Sequence, residues 1–365
     1  MRIGFDARAL ASPVHSGVEH YVRNLLPALV ALGAPEMMAY SNLPVESDPS
    51  DESDARLPVR VVRARRGWLR AALPWRLWRD GADLVHLPST IVPPILPCPA
   101  VVTVHDLAWA RYPETYDPAD LRMQTQVVPR SIGRAAHVVA VSRSTADDLL
   151  ETLTVPAAKI TVTPLGVSSA FRPDGPRLAS DAFAGAERVL REGCVLHTGG
   201  LHPRKNVARL IDAYAAVSKQ MEAPPLVIAG GRDPRRETGK GVPDVIFTGQ
   251  LCEGVMPALY RAATVVVYPS LYEGFGLPIL EAMASGVPVV TSDRSSMKEV
   301  AGEAALLVDP EDVDDIVRAL TRVLSDDVLR NELVQKGVER SREFTWERTA
   351  RGTVEAYHKA LGQRG

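Results

Sequence analysis

Two carboxylates, Glu273 and Glu281, bracket the stretch Gly274-Phe275-Gly276-Leu277-Pro278-Ile279-Leu280, and few chemistries need that arrangement. The run Thr264 to Tyr268 before it reads as a buried strand that Pro269-Ser270 ends, so the following turn sits at the strand edge where doubly wound sheets bind ligands. Pro278 suits the first turn of a helix and Gly286 the left-handed position after its last, so Gly276-Leu277 opens a helix. The backbone N–H groups and dipole of a helix start favour an anion such as a phosphate, and Gly274 and Gly276 let the backbone come close to one. A carboxylate at each end of such a site can accept hydrogen bonds from the hydroxyls of a sugar or a ribose.

A second group of residues suits the same chemistry. Thr198-Gly199-Gly200 follows a strand at 194–197, and Arg204-Lys205 stand in a loop before a helix that starts near Asn206. A guanidinium and an ammonium there can hold a diphosphate from two sides. Alone the pair reads as a solvated basic loop; beside the segment from Glu273 to Glu281 the anion reading is the stronger. Gly17, after Ser16, precedes a helix from Tyr21 to Leu32; by itself it reads as a turn, and together with the other segments as a donor-binding position whose backbone can approach a phosphate or an acceptor. His105 and Asp106 follow the strand Val101 to Val104, where an imidazole can bond a sugar hydroxyl or simply pack and cap.

The elements that must position these residues alternate along the chain. Strands are expected near 2–6, 37–41, 58–63, 83–87, 100–104, 137–141 and 160–163, with helices near 17–31, 69–79, 118–134 and 142–152 and a polar loop at 42–56. Pro and Gly accumulate from Thr163 to Pro176, which marks a linker. A second series has strands near 194–197, 226–229, 245–248, 264–268, 287–291 and 305–308, then a charged, periodic segment 311–342 and a last helix to about Leu361. The class is α/β with two Rossmann-like halves. A formal charge of −2 gives no support to a protein that coats nucleic acid or binds anionic lipid over its whole surface, so any basic patch is local. Cys98, Cys194 and Cys252 have no metal-ligand spacing and read as free, mostly buried thiols of a reducing compartment, the cytoplasm. Met1 to Asp6 reads as a strand rather than a signal sequence, and no stretch of about 18 apolar residues could span a bilayer.

The run from Glu273 to Glu281, two glutamates separated by seven residues, resembles the paired-glutamate motif of the family 4 retaining glycosyltransferases. Gly199 through Arg204-Lys205-Asn206, Val104-His105-Asp106-Leu107, Val141-Ser142-Arg143-Ser144, Pro164-Leu165-Gly166-Val167 and Glu299-Val300-Ala301-Gly302 are similar to that family's patterns in the same order. The likeness spans nearly the whole chain, and bacterial mannosyltransferase-like enzymes of surface polysaccharide are the most similar group. It implies a GT-B fold: an acceptor domain 1–168 and a donor domain 169–347 facing a central cleft, with helix 348–365 crossing back to the first domain. It further implies a nucleotide diphosphate sugar as donor, mannose favoured and GDP-mannose among the candidates, and a saccharide or lipid-linked saccharide as acceptor. No Asp-x-Asp arrangement is placed to hold a divalent ion against phosphates and the two cations make one redundant, so no metal and no cofactor are expected. Arg204 and Lys205 would bind the diphosphate and Glu281 the ribose. Glu273 would face the sugar, orienting and stabilising rather than acting as covalent nucleophile. The backbone at Phe275, Gly276 and Leu277 would contact sugar and phosphate, Leu251 would border the base, and His105 would lie by the sugar. Family members often carry a second Gly beside the position of Gly17, whereas Ser16 and Val18 flank it here.

Three of five tryptophans, Trp68, Trp75 and Trp78, crowd residues 63–79 together with Arg63, Arg65, Arg66, Arg70, Arg76 and Arg79. The segment reads as a core-packing helix whose arginines reach solvent, interrupted by Pro74, or as an interfacial element at the inner face of a membrane. Other readings of the whole chain are a nucleotide-sugar epimerase on the same scaffold and a silent nucleotide-sugar-binding or assembly protein. Intact Glu273, Glu281, Arg204, Lys205 and His105 argue against the latter.

Overall fold

The computed structural model describes residues 1–12, 16–33, 35–45, 59–64, 67–230 and 244–362. Most of the loop expected at 42–56 and the side chains of Arg65 and Arg66 lie outside them. Two compact units divide the chain: Met1–Gly166 with Thr345–Gly365, and Val167–Phe344.

The first unit is built in the order β1 (Arg2–Asp6), α1 (Gly17–Ala31), β2 (Glu36–Ser41), β3 (Arg60–Val61), α2 (Leu73–Asp80), β4 (Leu84–Leu87), β5 (Ala100–Val104), α3 (Ala108–Arg111), α4 (Pro118–Arg134), β6 (His137–Ala140), α5 (Arg143–Leu153) and β7 (Ile160–Val162). Its seven strands are parallel in the order β3-β2-β1-β4-β5-β6-β7. The central strands β4, β5 and β6 are buried along their whole length, which is why they read as near-continuous apolar runs rather than alternating ones. Side-chain hydroxyls start α1 and α5. Ser16 Oγ accepts from the Glu19 N–H at 3.2 Å and Ser142 Oγ from the Thr145 N–H at 3.0 Å.

The second unit continues with α6 (Ala186–Glu192), β8 (Val195–Thr198), α7 (Val207–Gln220), β9 (Leu226–Ala229), β10 (Val245–Gly249), α8 (Met256–Ala262), β11 (Val265–Tyr268), α9 (Leu277–Ala284), β12 (Val289–Ser292), α10 (Ser295–Ala301), β13 (Leu306–Val308), α11 (Val313–Ser325) and α12 (Asp327–Ser341). Its six strands are parallel in the order β10-β9-β8-β11-β12-β13, so the winding direction reverses between β8 and β11. In the first sheet the reversal falls between β1 and β4. Strand ends beside such a reversal leave a crevice for ligands. The last helix, α13 (Trp346–Ala360), returns to the first unit, where the Thr349 hydroxyl donates to Pro164 O at 2.7 Å.

Several sequence expectations are corrected. The strand expected near 58–63 is two residues long. The helix expected at 69–79 is a π-type turn, Trp68–Ala72, followed by α2. Pro74 does not interrupt that helix but stands in its first turn, where its missing N–H is harmless. The charged, periodic segment 311–342, for which the sequence specifies no element, is helical as α11 and α12, which part where Asp326 accepts from the Leu329 N–H at 2.9 Å. The thiols are not mostly buried: Cys194 is, Cys98 is half-buried, and Cys252, in the loop after β10, is exposed. No helix among the described residues is long and apolar enough to cross a membrane.

Candidate active site

The loops after β8 and β11, the strands flanking the reversal of the second sheet, are tied together by backbone. After β8, Gly199 adopts φ 117°, and Pro203–Lys205 form a single tight turn that ends on Asn206 at φ 60°. The Asn206 amide donates to Pro269 O at 3.0 Å and Pro310 O at 2.6 Å, and the Leu271 N–H donates to Arg204 O at 2.7 Å. Residues 69 positions apart in sequence thereby meet: Arg204 Nη1 donates to Glu273 Oε2 at 2.9 Å and to Tyr272 O at 3.0 Å. Lys205 Nζ donates to Glu273 Oε1 at 2.7 Å and to the Tyr268 hydroxyl, and that hydroxyl donates to Glu273 Oε1 at 3.1 Å. The backbone of Glu273 is held as well. Its N–H donates to Ser295 Oγ at 3.1 Å, and Ser296 Oγ donates to its carbonyl at 2.8 Å.

The charges of this cluster sustain one another. Burial alone would raise the Glu273 carboxyl, but Lys205 and Arg204 overcome it and hold the group down at about 2. Burial would likewise lower the Lys205 ammonium, and Glu273 carries it above its ordinary value instead. Burial and the Glu273 charge push the Tyr268 phenol up to about 12, so it stays a neutral donor. His197, on β8 beneath the cluster, stacks on Tyr268 at 5.6 Å between ring centroids. Its Nδ1–H donates to Val267 O at 3.0 Å, and burial lowers the imidazole to about 4.

Beyond Glu273 the chain passes Gly274 and the buried Phe275, whose ring packs on Phe344, to Gly276 at φ 108°. A Cβ at Gly276 would lie 3.1 Å from Ile279 Cδ1, so glycine answers both a backbone and a packing demand. Helix α9 begins at Leu277 with neither a side-chain cap nor an acidic residue in its first turn, an arrangement that suits an external anion. On the next turn Glu281 Oε2 accepts from the Tyr260 hydroxyl at 2.8 Å. Leu251 is half-buried after β10 in the same unit.

His105 and Gly17 belong to the first unit. His105 follows β5; its Nε2–H donates to Pro88 O at 2.9 Å, its ring meets Tyr21 edge-on at 4.9 Å, and burial lowers its pKa. Gly17 is the first residue of α1, and a Cβ there would meet nothing within 4 Å. A network that sequence reading missed lies beside them. His86 on β4 bonds the Tyr357 hydroxyl of α13 at 2.7 Å and Thr103 Oγ1 at 2.8 Å, and Thr103 in turn bonds the Tyr21 hydroxyl at 3.0 Å. Tyr260 and Tyr268 were missed as well, because each reads in sequence as one more aromatic of an apolar stretch.

Two parallel-sheet Rossmann-like units define the GT-B class of folds, and solved structures agree. Sucrose-phosphate synthase from Thermosynechococcus elongatus matches with a TM-score of 0.72 at 23% identity over 99% of each chain. Anabaena HepE in complex with UDP-glucose matches with a TM-score of 0.70 at 18% identity over 97% of this chain and 99% of its own. Residues 15–171 match the profile of Glycosyltransferase Family 4 and residues 192–326 that of Glycosyl transferases group 1. The O-antigen chain mannosyltransferase B of Escherichia coli is 34% identical over 295 residues, covering 78% of this chain and 76% of that one. The MMP alpha-(1->4)-mannosyltransferase of Mycolicibacterium hassiacum is 33% identical over 238 residues, 62% of this chain and 55% of that protein. The chain belongs to glycosyltransferase family 4.

Proposed function

We propose that this glycosyltransferase moves a hexose, mannose before others, from a nucleotide diphosphate sugar to a saccharide or lipid-linked saccharide with retention of configuration, in surface-glycan or glycolipid synthesis. The observation that carries the reading is the cluster of half-buried Arg204 and Lys205 on the buried Glu273, beside the uncapped start of α9. The mannosyltransferase names of the two relatives support mannose and a glycan or glycolipid acceptor. The UDP-glucose bound in HepE supports a nucleotide sugar as the class of donor.

Transfer of the sugar places negative charge on the departing diphosphate and positive charge on the anomeric carbon. Arg204, Lys205 and the first turn of α9 stabilise the first, with no metal required, and Gly199 and Gly276 let the backbone approach it. Glu273 keeps the two cations oriented before the donor arrives and stabilises the sugar's developing positive charge without forming a covalent bond to it. Glu281 accepts from the ribose, Leu251 borders the base, and His105, neutral with Nε2 already engaged, contributes to holding sugar hydroxyls. The test is transfer from GDP-mannose, UDP-glucose and their epimers to mannosyl acceptors in EDTA, with the product's anomeric configuration read by NMR. An inverted product, strict dependence on Mg²⁺ or a trapped glycosyl ester on Glu273 would overturn the corresponding part of the reading.

We further propose that the reaction takes place at the cytoplasmic face of a membrane, with α2 resting on anionic lipid. Leu73 and Leu77 point into the core, whereas Trp75 is 51% and Trp78 70% exposed. Arg70 and Arg79 are exposed beside them, without a carboxylate partner among the described residues. A basic face bearing outward tryptophans suits an anionic interface. The protein should sediment with phosphatidylglycerol vesicles at low salt and lose this with Trp75→Ala and Trp78→Ala together; unchanged sedimentation of that variant rejects the contact.

A further inference from the structure

Tyr260 is completely buried in α8, yet its hydroxyl lies between two polar groups from different elements: Thr198 Oγ1 at the end of β8, at 2.9 Å, and Glu281 Oε2 on α9, at 2.8 Å. A phenol has one proton to give, and a carboxylate oxygen only accepts, so that proton goes to Glu281. The Thr198 hydroxyl must then donate to the phenol oxygen. The result is a one-directional chain, Thr198 to Tyr260 to Glu281, and it ends on the carboxylate assigned to the ribose. Burial and the Glu281 charge keep the phenol protonated far above neutral pH, so the direction does not reverse. Phe171 meets the Tyr260 ring edge-on at 5.5 Å, which restricts the ring as well.

A glutamate has three side-chain torsions, and a carboxylate that must meet a hydroxyl pair gains from being fixed before the ligand arrives. We propose that Tyr260, oriented by Thr198, is a positioning residue that presets the Glu281 carboxylate for ribose hydroxyls and so makes the site select ribonucleotides over deoxyribonucleotides. This rests on the assignment of Glu281 to the ribose made above. Tyr260→Phe removes one oxygen and keeps the ring that fills the space. A merely structural phenol would lower stability in that variant without touching the discrimination between sugars.

The experiment is calorimetric titration of the full chain with GDP and UDP and with their 2′,3′-dideoxy counterparts, in wild type, Tyr260→Phe, Thr198→Val and Glu281→Gln, each shown folded by its thermal midpoint. The wild type is expected to prefer the ribonucleotide by about ten- to a hundredfold, the range of a hydrogen bond to a charged group. Glu281→Gln should bring that preference close to unity, Tyr260→Phe should reduce it to about threefold, and Thr198→Val should reduce it less. Full wild-type preference in both Tyr260→Phe and Thr198→Val overturns the proposal and leaves the ribose assignment standing. A wild type that binds GDP or UDP without preferring the ribonucleotide overturns both. A wild type that binds neither nucleotide overturns the donor-site reading as a whole. Should Tyr260→Phe fail to fold, Thr198→Val decides alone: a reduced preference supports the chain and an unchanged one rejects it.

Discussion

The two units share a parallel sheet and a reversal of strand order, yet they fill the ground beneath their strand ends with opposite chemistry. In the first, Tyr21, His86, Thr103 and Tyr357 form a neutral network of hydroxyls and imidazole that fastens α13 to the sheet. In the second, the buried Glu273 and the half-buried Arg204 and Lys205 place three charges together. Neutral hydrogen bonds satisfy a buried polar group and fix a geometry. Charges held out of water resist their own desolvation and are retained most naturally where an incoming charged ligand makes use of them. Under the proposed function the first network is thus a fastening and the second the donor site. Single substitutions should separate the two.

The largest separation is expected between Glu273→Gln and His86→Phe. Glu273→Gln leaves two half-buried cations facing a neutral amide, which costs about 3 kcal/mol of stability, and kcat/KM should fall by at least about a hundredfold. His86→Phe leaves Thr103 and Tyr357 short of a partner and costs about 2 kcal/mol, but activity per folded molecule should stay within about threefold of wild type. Urea unfolding and initial rates on the same preparations check both. Equal losses of activity in the two variants would erase the distinction.

Acid should distinguish the units next. Burial is the leading cause of the lowered pKa of four imidazoles in the first unit, with His20 at about 4, His86 at about 3 and His137 at about 4, and His105 shifted the same way. In the second unit burial lowers His197, to about 4. A folded imidazole below its ordinary value of 6.5 contributes stability that is complete above pH 6.5 and lost as the pH falls toward the folded value. Each such group is therefore worth up to about 2 kcal/mol less at pH 5. The Glu273 carboxyl, held at about 2 against an ordinary 4.5, begins to lose its contribution only below pH 4.5. All five tryptophans, Trp68, Trp75, Trp78, Trp109 and Trp346, lie in the first unit, so fluorescence follows that unit alone. Between pH 7 and pH 5 the urea midpoint seen by fluorescence should fall further than the one seen by circular dichroism. Coincident midpoints throughout would mean the units unfold together.

Much of this was legible in the sequence because it is local. Strand β11, the turn at Gly276 and the helix to Ala284 follow from apolar runs, a proline and two glycines within about twenty consecutive residues. Pro74 was misread because proline breaks a helix interior and starts a helix equally well, and only the π-type turn ahead of it settles which. The split at Asp326 had a signal, an acidic residue able to cap, hidden inside a charged periodic stretch. Pairings across long separations left no trace. Nothing in the spacing of Arg204 and Glu273 indicates an ion pair, and a tyrosine within an apolar run looks the same whether its hydroxyl meets Lys205, as in Tyr268 at the end of β11, or merely reaches a backbone carbonyl, as in Tyr214 of α7.

The smallest expected effect on stability comes from one glycine, Gly17, set against another, Gly166, and it sharpens what the first unit contributes to catalysis. A Cβ at Gly166 would fall 2.2 Å from the Trp346 backbone nitrogen and 2.6 Å from the Thr345 carbonyl carbon, so Gly166→Ala must displace the start of α13. It should cost about 2 kcal/mol, the range of other overpacked sites, and lower the fluorescence-detected midpoint. Gly17 is the opposite case. With nothing within 4 Å of its missing Cβ, Gly17→Ala should leave stability within about 0.5 kcal/mol of wild type. Any structural demand for glycine is therefore absent there, and what remains is the demand of a ligand that approaches the backbone. A tenfold or greater fall in kcat/KM with unchanged midpoint would place substrate against the start of α1 and give the first unit a part in the chemistry beyond holding α13. Unchanged activity would assign Gly17 to an ordinary turn and leave His105 as the candidate through which that unit reaches the sugar.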